Sequence, residues 1–464
     1  MQIRLKQHLK GRTRTLRGAA LLLGASTTLA GCGLFNTDVK NVNAVTEEAL
    51  ADPTAATSLA NGLGGTLHLA VNGLVGVSGA ASDELQWAGS REYWNLLDGG
   101  DMGDPVNEYS NGTYPFISQA RWQGDYTVKK LEEFDKQTPS ALLNRSDLVR
   151  AYILTGTAYL FIGENYEDFI IASERTESAA SVGEANMLIT IDSSIAYFSK
   201  AATLATTLNN PELQRQALGL RARARFSRVV WTKLRAPRGF PANPLVNDAA
   251  TTADATAALA VMSPSYRYRS TSTAQNNSGY FNTGFEMNQR LELRAGNEYV
   301  NGTATTVTAG IAGIKLNDPV SGQPDATLAV AINECCRLSS TQFIGYTLTS
   351  AREMYLILAE AALAAGNTAT FTTNINAARA IDGKPAWSGT PSAQAILIHE
   401  RRVGLFLQGR RLHDHYRFQQ PADRWLANNA ATRRPCFIPI SFDERTQNKL
   451  APQPAQDRPT ACKP

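Results

Sequence analysis

The chain has 464 residues, of which 45 are lysine or arginine and 41 are aspartate or glutamate. Six of the basic residues and no acidic residue precede Cys32, so the rest of the chain has 39 basic and 41 acidic residues, a net charge of −2. This balance argues against a nucleic-acid-binding protein, which would carry a basic footprint. No later apolar run reaches the ~18 residues that a membrane-spanning helix needs.

Residues 1–31 have the pattern of a bacterial export signal. A basic segment precedes the apolar run "GAALLLGASTTLA", which is too short to span a bilayer. Leu29-Ala30-Gly31-Cys32 then matches the lipoprotein box, in which small residues admit the peptidase and the cysteine thiol takes a diacylglyceryl group. The sequence predicts a signal peptide (1–31), lipidation at Cys32, a tether (32–40) and a lipid anchor in a membrane. An ordinary secretory signal with a chance cysteine is the alternative.

Residues 41–236 have a mostly helical pattern. In "LVRAYILTGTAYLFIGENY", Ala151, Leu154, Ala158 and Phe161 recur at the spacing of a packed helix. "SSIAYFSKAATLATTL" repeats the pattern, and the next helix is predicted to begin at Pro211, a favourable first helical position. We expect consecutive antiparallel helix pairs, as in helical repeat proteins.

The segment "DELQWAGSREYWNLLDGGDMGD" within this block concentrates aromatic side chains beside carboxylates and an amide. Aromatic faces stack on sugars while amides and carboxylates bind their hydroxyl groups. Trp87, Tyr93, Trp94 and Asn95 are therefore candidate ligand-binding residues. A buried anchor that packs the segment onto the helices is the alternative, because Trp is highly buried on average.

Three acidic residues in the same segment follow one another at intervals of three: Asp98, Asp101 and Asp104. The oxygens of such a set can bind Ca²⁺, but the pattern is not that of an EF-hand. A solvated turn is the preferred interpretation. We expect no bound metal and no cofactor.

Residues 237–345 are rich in turns and polar residues and are predicted to form a loop-rich, ligand-facing insertion, since long loops in compact proteins are commonly functional. Tyr266, Tyr268 and Tyr280 lie among polar loop residues and are the second group of ligand-binding candidates. The alternative is that these aromatic residues pack across a small sheet.

Four cysteines follow Cys32: Cys335, Cys336, Cys436 and Cys462. An exported protein meets oxidising conditions, so these are disulfide candidates with three possible connectivities. Their spacing lacks the paired CxxC of structural zinc sites.

Residues 346–464 are predicted to hold further helix pairs and a tail. The stretch "HERRVGLFLQGRRLHDHYRF" carries Asp414 three or four residues from Arg410, Arg411 and Arg417, and Gly409 is predicted to end the preceding helix. We interpret the arginine–acid cluster as a structural latch that fixes the angle between packed elements. Its members are Glu400, Arg401, Arg410, Arg411, Asp414 and Arg417. No nucleophile and no placed pair of carboxylates marks a catalytic site.

This stretch resembles the C-terminal signature of the SusD/RagB family of outer-membrane nutrient-binding lipoproteins. The matching positions are Glu400, Arg401, Arg402, Leu405, Gly409, Arg411, Asp414 and Arg417. Gly404 and Gln408 replace two glutamates of that pattern, and Leu412 and His413 stand where aromatic residues are usual. The segments "EMYLILAEAALAAGN" and "CFIPISFDERTQN" also resemble family segments.

The resemblance implies a mainly α fold of tetratricopeptide-like helix pairs with a loop-rich irregular subregion. It implies a protein without enzymatic activity that binds an oligosaccharide or another nutrient and delivers it to a TonB-dependent SusC-like outer-membrane barrel. It also implies a lipid-anchored, surface-facing location on the outer membrane. A glycan-degrading helical enzyme and a repeat scaffold that binds only protein are the alternatives.

Overall fold

The computed structural model describes residues 47–174, 177–235, 239–274, 281–302, 310–336 and 342–452. The chain divides into two compact units, residues 1–50 and 51–464. Helix α1 (Glu47–Leu50) is the described element of the first unit, and the second unit holds the other described elements.

The second unit is built mainly of helices. The long helices are α2 (Ala56–Ala80), α4 (Glu108–Asp135), α5 (Ser146–Asn165), α6 (Leu188–Thr207), α7 (Pro211–Arg235), α8 (Ala249–Leu259), α11 (Ala351–Ala364), α12 (Thr368–Ala380) and α13 (Ala393–Gly404). The shorter ones are α3 (Glu92–Asp98), α9 (Thr283–Asn288), α10 (Ala326–Cys335), α14 (Arg411–Phe418), α15 (Ala430–Arg433) and α16 (Phe442–Gln447). Short 3-10 turns occupy Pro53–Ala55, Glu184–Asn186 and Ile311–Gly313.

Local sequence signals account for several helix ends. Helix α7 begins at Pro211, which confirms the prediction. The Ser350 hydroxyl accepts the Glu353 amide at the start of α11, and the Asn367 side chain accepts the Thr370 amide at the start of α12. Between these two helices Gly366 has a φ of +70°, the left-handed conformation in which glycine is favoured.

The long helices stack in chain order. Helix α5 packs against α4 and α6, and α7 packs against α6 and α8. Helix α8 also packs against α11, and α11 packs against α12 and α13. Helix α8 therefore continues the stack, although it lies within the segment that the sequence predicts to be a loop-rich insertion.

Two small antiparallel sheets join the loop-rich segment to the helices. Strand β1 (Leu85–Trp87) pairs with β3 (Leu293–Ala295), and β2 (Arg267–Arg269) pairs with β4 (Thr347–Ser350). Each pair connects strands that are far apart in the chain. The β2–β4 ribbon leads directly into α11, so residues on β2 are held against the helical stack.

The predicted end of helix α13 at Gly409 is wrong, because the helix ends at Gly404. Leu407 has a φ of +52°, and its amide donates to the buried carboxyl of Glu84 (2.9 Å) instead of to a helix carbonyl. Gly409, at φ +75°, lies in the turn that leads into α14.

Within the part of the chain that the structure describes, no helix combines the length and the apolar character required to cross a bilayer.

Candidate ligand-binding site

The C-terminal arginine cluster is almost completely buried, and its members bind acids from several elements. Asp414 on α14 accepts from Arg401 Nε on α13 (2.8 Å) and from Arg417 Nη2 (2.7 Å). Arg417 also donates to Glu360 on α11 (2.6 Å). Burial opposes ionisation of Asp414, but the charges of Arg401 and Arg417 outweigh it and hold the pKa of that carboxyl well below its usual range.

The predicted pairing of Asp414 with Arg410 and Arg411 is wrong. Arg410 donates to Glu353 on α11 (2.8 Å), and Arg411 donates twice to Asp83 (2.8 and 2.7 Å). Helix α14 begins only at Arg411, so the assumed helical spacing does not extend back to Arg410. The buried carboxylates that these two arginines reach come from distant parts of the chain, which helical spacing alone does not reveal.

Glu400, the remaining member of the cluster, takes part in a second buried ionic network. It accepts from Arg379 Nη1 and from Lys384 Nζ (2.8 Å). Asp318, Asp325 and His399 lie close enough together to bind a metal ion. However, Arg379 pairs with Asp318 (2.7 Å) and Lys384 pairs with Asp325 (2.9 Å), so both carboxylates already have cationic partners. The network is therefore an ion-pair cluster in which Arg379 and Lys384 already neutralise the carboxylates that a metal ion would bind.

Trp94, one of the predicted ligand-binding residues, is 3% exposed and serves as a buried anchor. Its ring stacks on Tyr109 with 3.6 Å between centroids, and its Nε1 donates to Glu286 (3.1 Å). The prediction of Trp94 as a ligand contact is wrong, because both its ring and its polar edge are used inside the protein. Trp87 lies on β1, and Tyr93 and Asn95 stay partly exposed on α3.

The acidic residues that follow are not a fully solvated turn. Asp98 and Asp101 are buried. Asp98 accepts the Trp87 amide (3.1 Å) and pairs with Arg424 from the C-terminal tail (2.8 Å). Asp104 accepts the Val106 amide (3.0 Å). The prediction of a solvated turn is therefore wrong for Asp98 and Asp101, because the protein fold supplies the cation that Asp98 needs.

Tyr268 on β2 and Tyr266, which precedes that strand, line two different clefts. Tyr266 lines a cleft of about 250 Å³, and Tyr268 lines one of about 580 Å³. Tyr266 donates its hydroxyl hydrogen to Glu212 on α7 (2.8 Å), and the Arg215 guanidinium lies 5.5 Å from its ring centroid. Tyr266 thus ties the strand to α7, while Tyr268 presents its ring to the larger cleft.

The smaller cleft, which we name the Glu334 cleft, is rich in charge, but its charges are paired. Glu334 accepts twice from Arg267 (2.9 and 2.6 Å) and lies 3.3 Å from Arg269. Arg352 pairs with Asp382 (2.5 Å), and both residues also line the cleft. The next residue after Glu334, Cys335, also lines the cleft and is disulfide-bonded to its neighbour Cys336.

The larger cleft, which we name the Tyr268 cleft, lies between β2 and three helices of the stack. Its apolar floor comes from Leu67, Ile153, Leu154 and Leu213. Polar side chains surround that floor: Asn61, His68, Arg150, Gln216, Arg269, Ser270, Thr271 and Thr273. An aromatic ring above an apolar floor, rimmed by a few amide and hydroxyl groups, is the usual composition of a small-ligand site.

The electrostatics of the Tyr268 cleft suit a hydroxyl-rich ligand. No carboxylate occurs among the described residues that line it. Arg150 is paired with Asp147 (3.0 Å) and also donates to the Asn61 amide oxygen (2.6 Å). Burial raises the pKa of Tyr268 to about 12, so its phenol stays protonated and can donate a hydrogen bond at neutral pH.

Solved structures with SusD-like folds match nearly the whole chain, whereas no family model and no curated protein matches the sequence. A SusD superfamily protein from Bacteroides fragilis is 15% identical, with a TM-score of 0.58 and coverage of 87% of this chain and 99% of that one. One from Bacteroides thetaiotaomicron is 12% identical, with a TM-score of 0.58 and coverage of 88% and 100%. A laminarin-binding SusD-like protein is 14% identical, with a TM-score of 0.51 and coverage of 88% and 99%.

The chain has the SusD-like fold. The predicted fold class, mainly α with tetratricopeptide-like helix pairs, is therefore confirmed. The structure gives one departure from the C-terminal signature, Gly404, a local reason. At Gly404 a Cβ atom would lie 2.6 Å from Arg352 Cδ, so a larger side chain would displace the Arg352–Asp382 pair.

Three predicted residues lie outside the described part of this SusD-like fold: Cys32, Tyr280 and Cys462. Cys436 is disulfide-bonded, and its partner also lies outside the described residues. Trp87, Tyr93 and Asn95 line neither the Glu334 cleft nor the Tyr268 cleft.

The sequence analysis did not predict the polar helix residues that line the Tyr268 cleft as ligand-binding residues. Asn61, Arg150 and Gln216 lie on α2, α5 and α7, which were interpreted only as packed repeat helices. A signal was present in the sequence, since "NGLGGT" interrupts a helical pattern with three glycines in four residues.

Proposed function

We propose that this protein is a lipoprotein of the SusD/RagB type that binds a carbohydrate in the Tyr268 cleft and delivers it to a TonB-dependent SusC-like transporter. The observation that carries the proposal is the SusD-like fold, which extends over 88% of this chain and 99% of a laminarin-binding protein. The resemblance of the C-terminal stretch to the family signature supports it from the sequence.

The chemistry of the cleft supports a carbohydrate ligand. Sugar rings carry apolar C–H faces, which stack on an aromatic ring such as Tyr268, and hydroxyl groups, which bind amides. Asn61 and Gln216 supply amides at the rim, and Leu154 and Leu213 supply the apolar floor. Another hydroxyl-rich nutrient of similar size would fit the same groups.

The same cleft argues against hydrolysis. Glycoside hydrolysis ordinarily uses two carboxyl groups that flank the scissile bond. The described residues that line the Tyr268 cleft include no carboxylate, and the two acids of the Glu334 cleft are held in ion pairs with Arg267 and Arg352. A binding role is therefore the better interpretation of this molecule.

The proposed location rests on the lipoprotein box at Leu29–Cys32, and the proposed partner rests on the resemblance to the SusD/RagB family. Lipidation at Cys32 would hold the protein at the outer membrane, facing the cell surface, without a membrane-spanning helix. A SusC-like barrel is the proposed acceptor of the ligand.

Two measurements test the proposal. The purified mature lipoprotein in detergent should bind neutral glycans on a carbohydrate array and release no reducing sugar from them. Affinity purification from its own outer membrane should recover a TonB-dependent barrel. Release of reducing sugar would support the enzyme alternative, and recovery of the barrel by a protein silent on the array would support the scaffold alternative.

A further inference from the structure

A second large cleft, which we name the Trp122 cleft, lies along α4. Its volume is about 560 Å³, and helices α4 and α16 contribute most of its polar lining. Trp122 stacks on Tyr126, with centroids 5.6 Å apart and ring planes inclined by 21°, and stays partly exposed. Gln119, Gln123 and Asn448 place amide groups around the tryptophan.

The Trp122 cleft contains buried donors that lack a protein acceptor. Arg121 is 4% exposed and donates through Nη1 to Asp125 (3.2 Å) and to the Ala172 carbonyl (2.7 Å), but its buried Nε has no hydrogen-bond partner. The buried hydroxyl of Ser118 also has none. Unsatisfied buried polar atoms are costly, so a small side-chain movement that lets either group bind a ligand hydroxyl would be favourable.

Both clefts adjoin the same turns of α2, one through its own residues and the other through Gln123. Asn61 and Gly64 line the Tyr268 cleft. Thr66, two residues further along the helix, donates its hydroxyl hydrogen to Gln123 of the Trp122 cleft (2.7 Å). Gln123 therefore connects the Trp122 cleft to the turn of α2 that lines the Tyr268 cleft.

The surface of α2 between the clefts is made largely of glycine. Gly62 is exposed, and Gly64 and Gly65 are partly exposed. Glycine in the middle of a helix is unfavourable, so its presence at these positions needs a reason.

Packing supplies that reason later in the same helix but not here. A Cβ at Gly73 would lie 2.8 Å from Thr113, and one at Gly76 would lie 2.4 Å from Thr283. Both distances are steric clashes. A Cβ at Gly64 would lie 3.8 Å from Leu154, an ordinary contact, and one at Gly62 would lie 3.3 Å from the end of the flexible Gln123 side chain. The fold therefore tolerates a side chain at Gly64, and at Gly62 with a small shift, so close approach by another molecule is the remaining role for the bare surface.

We propose that one extended, neutral polysaccharide chain lies across this glycine surface and occupies the Tyr268 cleft and the Trp122 cleft together. The inference rests on the proposed function and deepens it, since it specifies a polymer as the ligand. The charges favour a neutral chain. Both arginines of the Tyr268 cleft have acidic partners, Arg150 in Asp147 and Arg269 in Glu334. Glu174, Glu177 and Glu444 line the Trp122 cleft and would repel an anionic glycan.

The test compares short and long ligands of one linkage by isothermal titration on the full mature lipoprotein. The probes are linear β-1,3-glucan oligosaccharides of three and eight units, with α-1,4-glucan and β-1,4-mannan series in parallel. The parent protein should bind the eight-unit chain at least ten-fold more tightly than the three-unit chain, because the second cleft adds to the first. Trp122→Ala should remove that difference and leave the three-unit affinity unchanged, and Trp122→Phe should restore part of it.

A substitution in the glycine surface gives an independent test. Gly62→Leu should weaken binding of the eight-unit chain several-fold. The smaller Gly62→Ala is the control for folding and should keep the parent melting temperature and most of the affinity for that chain. Equal affinity of the parent for both lengths would overturn the continuous track and leave the proposed function standing. Failure of the parent to bind any of the probes at either length would count against both.

Discussion

Asp414→Ala is predicted to cause a large loss of stability. Asp414 is 3% exposed and is the common acceptor of Arg401 and Arg417, which come from two different helices. Removal of one partner from a buried ion pair typically costs ~3–5 kcal/mol, because the remaining charge is left without compensation. Arg417 keeps its 2.6 Å bond to Glu360, so we expect about 3 kcal/mol, at the lower end of that range.

The assay is urea and thermal unfolding followed by circular dichroism at pH 7. Asp414→Asn, which keeps the shape and one acceptor, should lose less stability than Asp414→Ala. Asp192→Ala is the matched control, because it breaks the Arg228 pair in which both side chains are 46% exposed and should cost at most ~1 kcal/mol.

The pH dependence of the same variant has a defined sign. The pKa of Asp414 is depressed in the folded state, so its contribution is present above the ordinary carboxyl pKa of ~3.9 and is lost as pH falls further. The stability difference between the parent protein and Asp414→Ala should therefore shrink in acid. Unchanged unfolding curves for Asp414→Ala together with lost ligand binding would refute the interpretation of this cluster as a latch.

Three further predictions concern other parts of the chain. Burial raises the pKa of Glu84 to about 8, despite the hydrogen bond from the Leu407 amide, so the free energy of unfolding should fall by up to ~5 kcal/mol as pH rises from ~4.5 to ~8. Glu84→Gln should remove that pH dependence in unfolding curves recorded from pH 5 to 9. An identical pH dependence in both proteins would contradict the raised pKa of Glu84. Trp94→Ala should lower the melting temperature strongly and reduce the free energy of unfolding by ~3–5 kcal/mol, because the indole is buried and hydrogen-bonded to Glu286. A normal melting curve with weakened ligand binding would show that Trp94 is a ligand contact after all. Cys32→Ser should leave an unprocessed or soluble chain without lipid, and mass spectrometry that finds the variant processed and acylated would exclude Cys32 as the lipidation site.

The sequence predicts local structure best where short-range rules apply. The helix start at Pro211 follows from a conformational preference that acts within one turn. The i, i+3 pair of Asp414 and Arg417 on one short helix is also a local feature. These elements sufficed to predict a mainly helical, repeat-like fold.

Long-range partners were beyond the reach of the sequence. Arg411 pairs with Asp83, which lies more than three hundred positions away in the sequence, and Arg410 pairs with Glu353. The sequence around Trp94 indicates a ligand contact, but in the structure its ring stacks on Tyr109 and its Nε1 donates to Glu286. A single sequence carries no information on which acids and rings the fold brings together.

The candidate site illustrates the same limit. Tyr268 could be selected from composition, but Tyr266, two residues earlier, has the same composition around it and is bonded to Glu212. Only the structure shows that the two tyrosines line different clefts. The helix residues that complete the Tyr268 cleft belong to α2, α5 and α7, and their convergence depends on how the repeats stack.

The central claim is that the Tyr268 cleft binds a carbohydrate. Isothermal titration of the mature lipoprotein with a three-unit oligosaccharide identified on the array tests it most directly, with Tyr268→Ala compared with Tyr93→Ala. Both tyrosines are partly exposed, but only Tyr268 lines the cleft. Tyr268→Ala should weaken binding roughly five- to ten-fold, which corresponds to ~1–1.4 kcal/mol of lost ring contact, at an unchanged melting temperature, and Tyr93→Ala should bind like the parent. Parent-like binding by Tyr268→Ala together with a loss in Tyr93→Ala would contradict the account and move the site to the segment around Trp87.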